Sequence, residues 1–257
     1  MTTLVSTFPP LARYCLGLGD DALVMSHRLG EWIARAPQIE EDLALGNIAL
    51  DLLGQARALL TRAGELAPAA APTEDELAYW RDEREFTNVH LVEQPRADFA
   101  VTMARLLWFS AYQHELYRAL SSHPDPTVQG VAAKAVKEVA YHRDHATQWV
   151  LRLGDGTDDS HLRMQAAVSA VAPYVDELFA DDDLVAALAA VGQAVLPSTL
   201  RVPVEALVHN VFDEATVEPV AASWHSRGGR AGVHSEALGP LLAQMQHLAR
   251  SHPGAAW

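Results

Sequence analysis

The sequence contains very little cysteine: Cys15 is the only one in 257 residues. A single thiol excludes an intramolecular disulfide framework and any zinc or iron–sulfur site built on several cysteines. Disulfides are rare in proteins of the reducing cytoplasm. The composition therefore predicts a cytoplasmic protein.

Basic residues are also scarce, with 19 lysines and arginines against 33 aspartates and glutamates and a formal net charge of −14. Nucleic acids and anionic membranes both attract cationic surfaces. We therefore expect neither as a partner, whereas a basic protein would suit this charge.

Signals for export or membrane insertion are lacking too. No run of about 18 or more apolar residues is present. The segment Met1–Pro10 has no basic stretch followed by an apolar core, as a signal peptide would. We expect a chain that is neither exported nor anchored.

Period-two alternation and internal repeats are absent, while Ala-rich segments with a helical period are frequent. These segments predict four long helices, and then a series of shorter ones. The long helices are predicted at 11–35, with a possible break at 17–20, and at 39–66, 97–121 and 127–153. The shorter ones are predicted at 162–179, 184–192, 197–217 and 236–250.

The connections between these segments favour a ferritin-like arrangement. A tight link at Pro37 predicts an antiparallel hairpin of the first two helices. Thr73 and Glu76 match a capping box that opens a short helix through about Arg84. The long crossover that follows favours parallel second and third helices. We therefore predict an all-α, ferritin-like four-helix bundle in one domain, 1–257, with its core at about 11–153 and a C-terminal helical extension at about 160–251.

The second helix carries a polar column among small and apolar neighbours. Asn47, Asp51 and Gln55 follow one another at four-residue steps. A buried polar group without a partner costs about 1 to 3 kcal/mol. The column therefore predicts a core that carries, or once carried, a carboxylate site.

The fourth helix has the pattern that most resembles a set of metal ligands. Glu138, His142, His145 and Trp149 align along it. On the third helix, His114 lies on an apolar face, where a hydrogen-bonded core histidine is more common than a metal ligand.

A di-iron bundle needs more than these residues supply. It takes a Glu from each of two helices and a Glu-x-x-His pair from each of the others. The second helix has no His, and Gly54 stands three residues after Asp51. On the fourth helix Tyr141 stands three residues after Glu138, and His142 is one step too far. The spacing predicts a hydrogen-bonded polar core without a di-iron site.

Other catalytic signatures are missing as well. The glycine-rich segments GLGD (17–20) and SRGGRAG (226–232) neither follow a strand nor match a phosphate-binding loop, so we interpret both as turns. No G-x-S-x-G motif occurs, and Cys15 has no His partner at motif spacing.

Four collinear blocks resemble a known family over nearly the whole chain. They read LGDDALVMSHRLGEWIARAPQIEEDLALGNIALDLLGQAR, RDEREFTNVHLVEQP, AKAVKEVAYHRDHATQWVLRLGDGT and GVHSEALGPLLAQMQHLAR. They are similar to the C subunits of bacterial phenylacetyl-CoA ring 1,2-epoxidases, the multicomponent monooxygenases of aerobic phenylacetate degradation.

The resemblance implies a ferritin-like fold and a structural, non-catalytic subunit. In that family a related A subunit holds the di-iron centre and binds phenylacetyl-CoA, and a small B subunit helps assembly. A reductase with FAD and an iron–sulfur centre supplies electrons from NADPH. No catalytic, cofactor-binding or metal residue is carried over to this chain. We expect no cofactor in this subunit, an A-subunit partner, and a possible homodimer when the chain is alone.

Two further hypotheses come from the same residues. The alternative function is a divergent di-iron oxygenase that binds metal itself through Glu138, His142, Asp51 and Glu31. The second hypothesis concerns the partner surface, which we expect on exposed faces of the first two helices and on the RDEREF crossover, including Asp82 and Glu83.

Overall fold

Long helices dominate the protein, as the sequence predicts. The computed structural model describes residues 5–67 and 69–255, and within them it contains ten α-helices and no strand. The helices are α1 (Pro10–Gly30), α2 (Ile39–Glu65), α3 (Glu74–Tyr79), α4 (His90–Glu93), α5 (Phe99–Leu120), α6 (Pro126–Gly154), α7 (Asp158–Val171), α8 (Asp183–Ala189), α9 (Arg201–Glu214) and α10 (Leu238–Ser251).

A few predictions fall on residues outside this description. Residues 1–4 belong to the segment examined for a signal peptide, and Pro68 belongs to the break predicted after the second helix. The last residues of the predicted domain, 256–257, also lie outside the described residues.

The first two helices form the predicted hairpin. Gly19 of α1 lies against Leu60 of α2, and the Ser26 hydroxyl donates to the Ala49 carbonyl at 2.7 Å. Contacts that advance along one helix and retreat along the other define an antiparallel pair.

The predicted break in α1 at 17–20 is wrong, because the helix runs without interruption to Gly30. The glycines of this segment serve packing instead. A Cβ on Gly19 would lie 3.0 Å from Leu60 Cδ2, closer than nearly all real contacts. Glycine therefore lets α1 approach α2 closely while both stay helical. The helix also ends five residues before the predicted end at 35.

The predicted capping box is present at the start of α3. Thr73 Oγ1 accepts from the Glu76 amide at 3.1 Å, and the Glu76 carboxylate accepts from the Thr73 amide at 2.8 Å. The helix ends at Tyr79 and not at Arg84. After it the chain turns through a 3-10 helix, Glu83–Glu85, and then α4.

The chain divides into two compact units. The first contains Met1–Ile33, Leu43–Pro95 and Arg227–Trp257, and the second contains Ala34–Asp42 and Arg96–Ser226. In the first unit, α1 packs on α4, and α10 packs on α3. The single domain and the parallel second and third helices stay predictions.

The second unit is built on α5 and α6. Phe99 and Trp149 pack edge to face at the start of one helix and near the end of the other, with ring centroids 4.9 Å apart. Further along α5, His114 Nδ1 lies 3.1 Å from Nη1 of Arg143, which comes before Trp149 in α6. The contact positions rise along α5 and fall along α6, so the two helices are antiparallel. Helices α7 and α9 pack against this pair.

One helix in the described part of the chain, α2, is long and apolar enough to cross a membrane by length and composition. Charged residues interrupt the apolar residues of α2, so the helix contains no long uninterrupted apolar run although its mean hydropathy is high. Only 44% of that window is buried inside the protein. The finding is weak evidence for a membrane span, because core helices of soluble proteins pass the same test.

Two glycines of α2 provide a matched test of packing. A Cβ on Gly64 would lie 2.0 Å from the carbonyl oxygen of Pro72, whereas a Cβ on Gly54 would meet no atom within 4 Å. We expect Gly64→Ala to lower the free energy of unfolding by about 1 to 3 kcal/mol through overpacking. Gly54→Ala should raise it by up to about 1 kcal/mol through helix propensity. Urea unfolding of both variants measures this, and equal effects of the two substitutions would contradict the packing of the Pro72 loop on α2.

Candidate functional site

Two consecutive aspartates lie buried in the middle of α1. Asp20 is 0% exposed and Asp21 is 2% exposed. Neighbouring residues of a helix point about 100° apart, so the two carboxylates face different surroundings. Each needs its own partners, because an uncompensated buried charge is costly.

Arg81, in the segment after α3, pairs with Asp20. Its Nη2 and Nη1 donate to Asp20 Oδ1 and Oδ2 at 2.5 and 3.0 Å. Its guanidinium carbon lies 4.1 Å above the centre of the Phe86 ring. Thr87 completes the shell, since its amide and its hydroxyl donate to Asp20 Oδ2 at 2.9 and 3.0 Å. The segment 81–95, which we call the crossover, is thus fixed to α1 by a bidentate ion pair.

Arg230 of the glycine-rich segment 226–232 pairs with Asp21. Its Nη2 donates to Asp21 Oδ2 at 2.5 Å, and its Nη1 donates to Oδ1 at 3.1 Å. The same Nη1 reaches the carbonyl oxygens of Gly17 and Thr87. Val89 adds its amide at 2.9 Å. One arginine therefore joins α1, the crossover and the segment 227–237, which we call the C-terminal loop.

Burial raises the pKa of Asp21 to about 6 from an ordinary value of 3.8. Removal from water is the largest cause, and the nearby charge of Asp20 acts in the same direction. The charge and hydrogen bonds of Arg230 and the amide of Val89 oppose it. The native surroundings of this carboxyl therefore favour its protonated form more than water does.

A third buried carboxylate, Glu93 of α4, is held by His234. The His234 Nδ1 lies 3.0 Å from Glu93 Oε2, and its Nε2 lies 2.8 Å from the carbonyl oxygen of Phe86. A carbonyl oxygen only accepts, so the hydrogen bond to Phe86 is donated by Nε2 of His234. The amide of Ser235 donates to Oε1 at 2.7 Å, and Asn88 donates to Oε2 at 3.1 Å.

Arg28, also on α1, joins the same two loops through their backbone. Its Nε donates to the carbonyl of Glu93 at 2.9 Å, and its Nη2 donates to the carbonyl of Ala237 at 2.7 Å. Its Nη1 pairs with Glu31 at 2.5 Å. We call Asp20, Asp21, Arg28, Arg81, Glu93, Arg230 and His234 the charge network.

Both oxygens of each of the three carboxylates accept at least one hydrogen bond from the chain itself. A metal ion would have to displace these donors. The arrangement is suited to positioning two irregular segments against α1, because every partner of the carboxylates lies in the crossover or in the C-terminal loop.

The polar column predicted on α2 does not lie together in the core. Asn47 is exposed, Asp51 is half-buried and Gln55 is 4% exposed. Four residues advance the helix by about 400°, so the column rotates by about 40° at each step. The prediction of a common buried face is therefore wrong for Asn47.

Two of the candidate ligands on α6, Glu138 and His145, have separate partners. Glu138 is half-buried and pairs with Lys134 at 3.0 Å. His142 is fully buried. His145 Nε2 lies 3.0 Å from Glu41 Oε2, without the alignment of a regular hydrogen bond. Burial lowers the pKa of His145, with Glu41 and Asp144 opposing that shift.

His114 of α5 is hydrogen-bonded, as expected, but it is half-buried and not fully buried. Its Nδ1 lies 3.2 Å from Glu115 Oε1 and 3.1 Å from Arg143 Nη1. Glu31, the fourth residue of the alternative metal set, is the partner of Arg28. Among residues 5–67 and 69–255, no three His, Cys, Asp or Glu side chains group closely enough to hold a metal ion.

Sequence reasoning missed most of the charge network. The segment GLGD, interpreted as a turn, is part of α1 and ends in Asp20. The segment 226–232 is a loop, as predicted, but it contains a 3-10 helix and the arginine that binds Asp21. The available signal was incomplete, because three of the four family-like blocks contain members of the charge network and Arg230 lies in none of them.

The comparisons with known proteins agree with the resemblance. The family model described as phenylacetic acid catabolic protein matches residues 4–257. The chain is 47% identical over 247 residues to the C subunit of 1,2-phenylacetyl-CoA epoxidase from Escherichia coli strain K12, covering 96% of this chain and 99% of that protein. The chain belongs to this family. Its fold is all-α and ferritin-like, as predicted.

The raised pKa of Asp21 makes the free energy of unfolding of this protein depend on pH. Its native pKa of about 6 exceeds the ordinary value of 3.8, so its contribution to stability is full below pH 3.8 and is lost as pH rises through 6. Between pH 4.5 and 7.5 we expect the stability of the wild type relative to Asp21→Asn to fall by about 2 kcal/mol. Urea unfolding of both proteins at the two pH values measures this.

Asp213→Asn, at an exposed position, controls for the loss of a carboxylate. A wild-type advantage that stays constant or grows with pH would contradict the raised pKa of Asp21 in the folded protein.

Arg81 tests the central ion pair. Arg81→Met leaves the carboxylate of Asp20 buried without its cation, and we expect a loss of about 3 to 5 kcal/mol in the free energy of unfolding. Arg57→Met, which removes the exposed pair with Glu74, is the matched control and should have little effect. Equal effects of the two substitutions in urea unfolding would show that the Asp20–Arg81 pair is dispensable.

Proposed function

We propose that the chain is the structural, non-catalytic C subunit of a multicomponent phenylacetyl-CoA 1,2-epoxidase of phenylacetate catabolism. The observation that carries this proposal is the similarity to the C subunit of such an epoxidase over nearly the full length of both chains. The chain would pair with a di-iron A subunit and stabilise it. A small B subunit and a reductase that uses FAD, an iron–sulfur centre and NADPH complete the assembly.

The residues of α6 support a non-catalytic role. An iron ligand of the bundle type would need Glu138 and a histidine three residues further along. That position is Tyr141, whose side chain is 50% exposed, and Glu138 is paired with Lys134. The residues present do not fit a di-iron centre, so the iron of the proposed complex is assigned to the A subunit.

The charge network supports the same role from the first unit. Its buried carboxylates are paired with arginine and histidine side chains of the chain itself. Networks of this kind fix the geometry of a subunit and are weak evidence for added stability. A rigid subunit with a preformed surface would be suited to support a catalytic partner in the cytoplasm.

Metal content tests the proposal directly. We expect iron near zero in the chain purified alone, and about two irons per A:C pair after co-expression with the A subunit, because only A supplies a complete ligand set. Elemental analysis of both preparations, with size-exclusion chromatography to establish pairing, makes the measurement. A homodimer of the isolated chain is compatible with the proposal.

About two irons bound to this chain alone would contradict the proposal and favour the divergent oxygenase. Glu138, His142 and Asp51 would then be the first residues to replace. Absence of a stable pair with the A subunit would equally count against the structural role.

A further inference from the structure

An exposed tryptophan separates two clefts at the end of α3. Trp80 is 47% exposed, although large aromatic side chains usually bury most of their surface. It lines a cleft of about 400 Å³ between α3 and α10 and a second cleft of about 420 Å³ beside the loop at Pro72. The indole therefore projects between two concave surfaces and is accessible from both.

Hydrogen bonds from α10 hold the floor of these clefts in place. The Gln246 amide donates to the carbonyl oxygens of Ala78 and Arg81 at 3.2 and 2.9 Å. Arg250 donates to the carbonyl of Tyr79 at 3.0 Å and pairs with Asp82 at 3.2 Å. The end of α3 is thus fixed to α10, and the shape of the α3–α10 cleft is preformed.

The lining of this cleft combines apolar and aromatic groups with a carboxylate. Tyr79, Trp80, Met245 and Leu248 contribute the apolar surface, Asp75 contributes the acidic group, and His252 lies at the C-terminal end of the lining. Leu248 is 52% exposed. An electron-rich aromatic face beside a carboxylate attracts a cation, and the aliphatic part of an arginine or lysine packs well on such a surface.

The surroundings are acidic over a larger area. Residues 74–85 contain six acidic residues and two arginines, and Arg57 of α2 and Arg250 of α10 pair with Glu74 and Asp82 of this segment. Arg81 is buried against Asp20 and does not offset the surface charge. The acidic residues that remain, Asp75 among them, disfavour nucleic acid and anionic lipid as occupants and complement a basic protein segment.

We propose that the α3–α10 cleft binds a basic segment of another subunit, an arginine or lysine flanked by apolar side chains, with Trp80 as the central contact. The proposal rests on the proposed function, because it takes the occupant from the epoxidase complex. The cation lies over the Trp80 and Tyr79 rings and against Asp75, and the apolar neighbours contact Met245 and Leu248.

The test uses the full chain and the assembled complex. Wild type, Trp80→Ala and Asp75→Arg are each purified, and their affinity for the other epoxidase subunits is measured by biolayer interferometry. We expect each substitution to weaken binding roughly tenfold or more, as for a central aromatic contact. Raised salt should weaken wild-type binding and have less effect on Asp75→Arg.

Two variants match these substitutions elsewhere on the chain. Trp224 is 51% exposed, so Trp224→Ala removes an indole of similar exposure. Asp183 is an exposed acid in the first turn of the short helix α8, as Asp75 is in α3, so Asp183→Arg repeats the charge reversal. Both should bind like wild type. Circular dichroism and thermal unfolding establish that all four variants fold.

The outcomes separate the cleft from the proposed function. If wild type binds and Trp80→Ala and Asp75→Arg bind equally well, the cleft proposal is wrong and the structural role stands. If wild type binds none of the other subunits, both proposals are wrong. If Trp224→Ala or Asp183→Arg weakens binding as much as the cleft variants do, the partner surface lies elsewhere and the cleft proposal is also wrong.

Discussion

The pairing of Asp20 with Arg81 is the constraint on which the first unit depends. A carboxylate that is 0% exposed in the middle of α1 requires a cation and several donors. The chain supplies them from the segment after α3, with Thr87 completing the shell. That requirement holds the crossover against α1, because the cation and the donors that neutralise the charge all come from this irregular segment.

The neighbouring aspartate extends the same constraint to the C-terminal part of the chain. Asp21 binds Arg230, which also holds the carbonyl oxygens of Gly17 and Thr87. Gly232 follows with φ +71°, and a Cβ there would lie 2.3 Å from the carbonyl oxygen of Arg84. Glycine is therefore required where the C-terminal loop turns against the crossover. The crossover and the C-terminal loop, which are far apart in sequence, therefore pack against each other.

This organisation bears on the proposed role. The three buried carboxylates of the charge network are paired with side chains of the first unit, and the candidate ligands Glu138 and His145 of α6 lie next to Lys134 and Glu41. Because these buried charges are paired, the segments that carry them are held in place. A catalytic partner of the proposed kind would therefore bind a preformed surface. Arg81 of the charge network follows Trp80 in sequence, and its carbonyl oxygen accepts from Gln246 and Arg250 of α10, so the network is connected to the α3–α10 cleft that we propose for binding.

The sequence by itself determined three of the four long helices, and the tertiary structure decided the site. Periodicity placed α2, α5 and α6 to within two residues at each end, because a long apolar period fixes a helix locally. The ligand count on α6 likewise needed only residue spacing. The partners of Asp20, Asp21 and Glu93 could not be found this way. Those contacts join residues 61 to 209 positions apart, in segments without a period, so only the folded chain brings them together.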